Sequence, residues 1–348
     1  MAGITLTDET RSTARALAAG VAGAGAAHLI GVPAAPILGP ALLISALAAA
    51  GVRFAIAAPV RDAALLVLGI GVGAGVDEQA TAAMARWPIA FAALAATLTA
   101  TLFSARFVLT RFFGFDRRSA TLAAAPGHLS FVIGLGEATG ADLTRVTVVQ
   151  TVRLLALTIV TPFAALAFGV EVDVAAVAGG PAMAVAPFAA VVAGSAALGF
   201  VLRRYGTPAP MLIGAMIVSA GAHVGGAVKG GLGPELALAG FVVVGSLIGA
   251  RFSGITLAAL RSAAGAGLAA TAIAAGLAVA AAAPVALIVG MPAAHVMVGF
   301  APGGLETMIA LGAVLAASPG FVAACHVGRL LLLSILIPLV LFRGGKEG

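Results

Sequence analysis

From Ala14 to Phe342 the chain passes through one apolar stretch after another, each of 17 to 27 residues. A hydrocarbon core about 30 Å thick takes about 20 apolar residues of helix, so stretches of this kind can cross it. None of the chain is left over for a soluble domain. Composition agrees: 61% of residues are hydrophobic, 9% are charged and mean hydropathy is +1.15, against about half apolar and about a quarter charged in soluble domains. Lipid offers no hydrogen bonds, and a helix satisfies its own backbone. The expected class is an all-α polytopic membrane protein.

The opening MAGITLTDETRSTAR carries Asp8 and Glu9 and has no apolar run before a small-residue cleavage site, so it does not read as a secretory signal. Residues 1–12 are expected to form a cytosolic tail, and residues 343–348 a second one. The single cysteine, Cys325, excludes an internal disulfide and reads as a small apolar filler. The net charge of +6 comes from basic residues scattered between apolar segments. They form no cluster interleaved with aromatics, which argues against a nucleic-acid partner.

The chain is a duplication. A shift of 176 residues places Gly69 and Gly73 on Gly245 and Gly249, and Ala125-Pro126-Gly127-His128-Leu129 on Ala301-Pro302-Gly303-Gly304-Leu305. The same shift places Arg153 on Arg329 and Pro162 on Pro338, and a shift of 175 places GVPAAPILG (31–39) on GTPAPMLIG (206–214). The copies span 13–170 and 171–342. Each holds six apolar segments, and the fifth, 119–139 or 293–315, contains the Pro-Gly break.

Charge placement chooses between topologies. With twelve crossings and a cytosolic N-terminus, basic residues divide 11 inside against 6 outside. If the fifth segment of each copy enters and leaves on one side, the division becomes 15 against 2, with Arg153 and Arg329 inside the membrane. Each copy then has five crossings plus a broken or re-entrant segment, an odd number that inverts one half relative to the other. Inverted halves with interrupted helices are a recurring plan of secondary transporters. Parallel copies with a loose charge bias are the alternative.

The breaks AAPGHLS (124–130) and FAPGGLE (300–306) leave backbone groups unpaired at membrane depth. Pro126, Gly127, His128 and Ser130 in the first copy, and Pro302, Gly303, Gly304 and Glu306 in the second, are therefore candidate binding residues. Glu306 is a candidate for a coupling cation or proton, H+ or Na+, with Ser130 at the matching position as a neutral acceptor. Headgroup water or a paired arginine is the structural alternative for Glu306. Gln150 and Arg153, and His326 and Arg329, stand three residues apart on one helical face. Each pair suits a substrate carboxylate or phosphate, or a structural bridge to Glu306.

Glu137 and Asp142 read as solvated loop residues, and His28, His223 and His295 as polar packing groups. No zinc, copper or iron spacing is present, so no metal or cofactor is expected. GIGVGAG (69–75) lies inside an apolar segment, which fits small-residue helix contact better than dinucleotide binding.

Taken together, APGHLS and APGGLE, the Leu-Gly that follows each, QTVR and HVGR, and GVPAAPILG with GTPAPMLIG resemble the AbrB-type membrane protein family, also labelled putative ammonia monooxygenase. The resemblance covers nearly the whole chain. It implies an integral inner-membrane protein with an internal duplication, of the kind described as regulators of gene expression or as transporters. It does not extend to the small DNA-binding regulator of the same name. His128 departs from the Gly-Gly of the motif. The function expected is an inner-membrane secondary transporter or exporter of a small solute, anionic if the arginines bind it, and not an enzyme. A membrane regulator without transport is the alternative. The expected partners are the bilayer, that solute with H+ or Na+, and a second copy of the chain in a homodimer.

Overall fold

The computed structural model describes residues 6–76, 87–126, 129–169, 181–315 and 317–343. Among the described residues there are fourteen helices and no strand: α1 (Leu6–Leu29), α2 (Ala35–Ala49), α3 (Ala58–Ala74), α4 (Trp87–Phe113), α5 (Arg117–Ala124), α6 (Leu129–Thr139) and α7 (Leu143–Ala167) in the first copy, then α8 (Val185–Arg204), α9 (Pro210–Val224), α10 (Pro234–Ala250), α11 (Leu257–Val289), α12 (Ala293–Phe300), α13 (Leu305–Val314) and α14 (Pro319–Arg343) in the second. This is the all-α polytopic membrane class. Five helices are long and apolar enough to cross a membrane: α4, α7, α8, α11 and the stretch Gly320–Phe342 of α14.

The sequence duplication reappears element by element. α2 and α9 are both 15 residues, α3 and α10 both 17, α5 and α12 both 8, and α7 and α14 both 25 with an internal proline at Pro162 and Pro338. Even backbone strain recurs. The described residues other than glycine with positive φ are Ala34 (50°) and Ala209 (45°), the N-caps of α2 and α9. A left-handed alanine costs about 1–2 kcal/mol, which the surrounding proline-rich turns must hold in place. One boundary differs from expectation: α1 begins at Leu6, so the tail drawn over residues 1–12 is helical from that point. Asp8 and Glu9 in its first turn face the positive end of the helix dipole, a favourable placement.

The chain forms two compact units, and each draws on both copies. Unit 1 comprises Met1–Met84, Thr161–Gly254 and Glu306–Gly320; unit 2 comprises Ala85–Val160, Ile255–Leu305 and Phe321–Gly348. The boundaries at 13–170 and 171–342 therefore describe homologous copies rather than compact bodies.

In unit 1, α1 packs on α2 and α8 on α9 within each copy, while α3 packs on α9 and α2 on α10, contacts that join one copy to the other. Glycine makes these contacts possible. A Cβ on Gly69 would fall on the Leu212 carbonyl oxygen, and one on Gly73 would lie 2.5 Å from the Met216 oxygen. A Cβ on Gly245 would fall on the Ile37 carbonyl oxygen, and one on Gly249 would lie 2.7 Å from Ile44 Cβ. Ile37 and Leu212 are themselves equivalent in the duplication, so the contact is reciprocal, as in a self-complementary interface. The expectation of small-residue contact at these four glycines is met.

In unit 2, α4 packs on α11, α5 on α4, and α12 on α11. Four helix ends of the first copy converge there. Arg145, near the start of α7, donates from Nη2 to the Phe113 carbonyl (2.6 Å) and from Nη1 to the Gly114 carbonyl (3.1 Å) at the end of α4, and stacks on Phe115 at 3.8 Å. Arg118, at the start of α5, donates to the Thr139 carbonyl at the end of α6 (2.9 Å). The amide of Asp142 donates to Ser119 Oγ (2.8 Å). The N-terminus of α5 thus lies beside the C-terminus of α6, and the two helices form a hairpin.

Candidate functional site

The hairpin α5–α6 exists because Pro126 ends α5. Ala125, immediately before it, is extended at φ −67°, ψ 116°, the conformation a following proline favours. Ala301, before Pro302, ends α12 in the same way at φ −56°, ψ 123°. Each break leaves C-terminal carbonyls without intrahelical partners. They are buried, so side chains must satisfy them.

Gln150 and Arg153 satisfy those of the first copy. Gln150 Nε2 donates to the Leu122 and Ala125 carbonyls, both at 2.8 Å. Arg153 Nη1 donates to the Ala125 (3.2 Å) and Ala123 (3.4 Å) carbonyls, and Nη2 donates to Gln150 Oε1. Spacing three residues apart on α7 puts both side chains on one face. The amide and guanidinium therefore act as one cap.

The second copy builds its cap from the arginine alone. Arg329 Nη1 donates to the Ala301 carbonyl (2.8 Å) and Nη2 to the Gly303 carbonyl (2.6 Å). His326 stands where Gln150 does, but its Nδ1 bonds back to the Val322 carbonyl of its own helix (2.8 Å). Its Nε2 lies near the Ala301 carbonyl without good hydrogen-bond geometry. Arginine at a helix C-terminus also meets the negative end of the dipole.

Both pairs are deeply buried: Gln150 and Arg153 are 1% exposed, His326 and Arg329 0%. The same contact recurs in both copies, since Arg153–Ala125 and Arg329–Ala301 each span 28 residues. The expected role of the arginines as ligands thus acquires a structural component: each fixes the end of an interrupted helix. The bridge to Glu306 considered for them does not occur among the described residues. Among the described residues, ion pairs are made by Asp62, with Arg61 and Arg203.

The remaining candidates fall out as follows. Pro126, Pro302 and Gly303 are buried, Gly304 half-buried, and Gly127 and His128 lie outside the described residues, as does the side chain of Ser130. Glu306 is half-buried in the first turn of α13, where the helix dipole favours a carboxylate. His223 is a packing group: Nδ1 bonds with the Ser219 carbonyl (2.7 Å) and Nε2 with the Gly230 carbonyl (2.9 Å). Glu137 is exposed, whereas Asp142 is a helix cap whose Oδ1 accepts from Arg145 N (3.0 Å). Among the described residues no group of three His, Cys, Asp or Glu could hold a metal.

Sequence reasoning passed over the junction residues Asp116, Arg118 and Ser119. Their signal was present, since Asp116 and Asp142 each stand one residue before a helix, the position a capping side chain prefers. A cleft of about 870 Å³ in unit 1, between α1 and α10, is lined by apolar residues with His28 and Glu235 at its margin. None of the candidate residues lines it.

A family model described as Transition state regulatory protein AbrB matches residues 37–343, which include both breaks and both arginines. The chain belongs to the AbrB family. It is of the long membrane type, not the small DNA-binding type. A relative in Bacillus subtilis (strain 168), the uncharacterized protein YhjN, is 28% identical over 256 residues. That match covers 67% of this AbrB-family chain and 65% of YhjN, just under two thirds of the relative's length. No solved structure matches the chain.

Proposed function

We propose that this AbrB-family protein is an inner-membrane secondary transporter or exporter of a small solute, with its two copies in inverted orientation. The supporting observation is the α5–α6 hairpin, whose two ends are tied by Arg118 to Thr139 and Asp142 to Ser119. A hairpin that enters and leaves on one side gives its copy an odd number of crossings, and odd copies alternate in orientation. Irregular backbone at membrane depth is tolerated where it is buried in protein or lines a wet cavity. Transporters of this plan place substrate and coupling ions at such breaks.

In this reading Glu306 takes the coupling proton or cation, because it is an acidic residue at the head of the half-helix α13. Arg153 and Arg329 hold the interrupted helices in register. No chemical transformation is involved, and the protein is not an enzyme. Reconstituted liposomes report the function directly. Solute flux driven by a proton or sodium gradient should be present in the wild type and fall at least about tenfold in Glu306→Gln, as intramembrane carboxylates are seldom retained without function. Flux that is unchanged in Glu306→Gln would remove the coupling site.

A second reading takes the family's regulatory description at face value. It makes the protein a membrane regulator, and deletion would then alter transcripts while the purified protein moved no solute.

A further inference from the structure

Unit 2 encloses two guanidinium groups and, among the described residues, pairs neither with a carboxylate. Arg153 and Arg329 are 1% and 0% exposed, and they lie close enough to repel each other electrostatically. Among the described residues neither forms an ion pair. An arginine stays charged in a protein, so this charge cannot be shed by deprotonation.

The hydrogen bonds do not exhaust the donors. Nε of Arg153 and Nε of Arg329 are buried and have no hydrogen-bond partner. Among the described residues, Nη2 of Arg153 is bonded to Gln150 alone, and each Nη of Arg329 to one carbonyl. Every Nη carries two N–H groups, and Arg153 Nη1 alone reaches two carbonyls, so further donors remain on three of the four Nη nitrogens. Buried donors left unmade are costly, more so when charged.

Charge points the same way. The guanidiniums cap the C-termini of α5 and α12, and each helix C-terminus carries about half a negative charge. Two termini offset about one of the two positive charges. Roughly one positive charge therefore remains in a buried setting. Water can accept from the idle donors, yet it cannot neutralise that charge.

We propose that a small monovalent anion, a halide or a short carboxylate, binds in unit 2 at Arg153 and Arg329, accepting from the guanidinium donors that the carbonyls leave unused. Complete burial of both arginines limits the ligand to a compact one. The proposal rests on the transport reading only in that it names the substrate class for it. Binding itself does not require flux.

Trp87 is the single tryptophan, and its buried ring packs on Phe321 of α14, the helix that carries Arg329, with ring centroids 5.6 Å apart. Purified protein in detergent would be titrated with chloride, formate or acetate against gluconate at constant ionic strength, following Trp87 fluorescence and the thermal midpoint. Saturable stabilisation by one or more of the compact anions and none by gluconate is expected, and comparing the arms separates a halide from a carboxylate ligand. Arg153→Gln and Arg329→Gln should each weaken that response at least about tenfold while helicity is retained, as expected for the loss of a charge-assisted hydrogen bond. Glu306→Gln, which the transport reading expects to stop flux, should leave anion binding intact. Equal responses to all four salts in the wild type would overturn the proposal, whether or not the variants fold and whether or not flux is measured; so would unchanged titrations in both arginine variants. A saturable anion response in a protein that shows no flux would leave the anion site standing and remove transport.

Discussion

The two units of this protein solve helix packing in opposite ways. Unit 1 removes side chains: at Gly69, Gly73, Gly245 and Gly249 the backbone of one copy lies against α9 or α2 of the other. Unit 2 inserts long charged side chains: Arg153 and Arg329 reach across to the carbonyls of interrupted helices. The first arrangement rests on close approach, joined between α3 and α9 by the bond from Ser219 Oγ to the Ile70 carbonyl (2.7 Å), so it suits helices that are whole. The second is demanded by the proline breaks, because unbonded carbonyls in a dry interior must be answered by donors. A duplicated sequence has thus been divided into one body held by shape and another held by polar caps.

This contrast can be broken most sharply at Arg329. Arg329→Ala leaves the Ala301 and Gly303 carbonyls buried without donors, which at about 1–3 kcal/mol per unsatisfied group should be the largest loss of thermal stability in the molecule. Arg329→Lys should recover only part of it, since a single ammonium cannot match the fork. If Arg329→Ala melted like the wild type, the caps would not hold the break.

Unit 1 is tested by restoring a side chain. Gly245→Val should cost about 1–3 kcal/mol, the usual penalty for overpacking, because its Cβ meets the Ile37 carbonyl rather than a movable side chain. Gly221→Ala, in α9 of the same unit, where a new Cβ meets nothing within 4 Å, should be tolerated. Similar melting temperatures for these two variants would deny that close approach organises unit 1.

A smaller effect is expected at Asp116, in the loop before α5, whose Oδ1 accepts from the amides of Arg118 (2.9 Å) and Ser119 (3.0 Å). Asp116→Ala should cost about 1 kcal/mol, as for other N-caps. Partial burial raises the pKa of this carboxyl, but the hydrogen bonds from the Ser119 hydroxyl and the two amides outweigh that and lower it overall. A depressed folded-state pKa means the cap contributes fully above the ordinary carboxylate range and is lost as pH falls through the lowered value. Acid melting curves of wild type and Asp116→Ala should therefore converge at low pH.

Much of this was legible in the sequence, and for identifiable reasons. Apolar period and length located the helices: the fifth segments expected at 119–139 and 293–315 hold α5 with α6 and α12 with α13. The glycine pairs were readable because small residues at a fixed spacing have one main use in a membrane helix. The partners of the arginines were not, since a backbone carbonyl has no sequence signature and Ala125 or Ala301 could be any residue. Nor could sequence show that compact units would interleave the copies, because that depends on which helix faces pair, α3 with α9 and α2 with α10.

Inverted orientation of the copies is the claim on which transport depends, and Arg53 and Lys229 decide it. Both are exposed, and they follow the equivalent helices α2 and α9. Single cysteines at the two positions, in a background with Cys325→Ser, would be labelled from each side of the membrane with an impermeant thiol reagent. Inverted copies require the cysteine at 53 to react from the cytosolic side and the one at 229 from the opposite side. Labelling of both from the same side would mean parallel copies and would contradict the account.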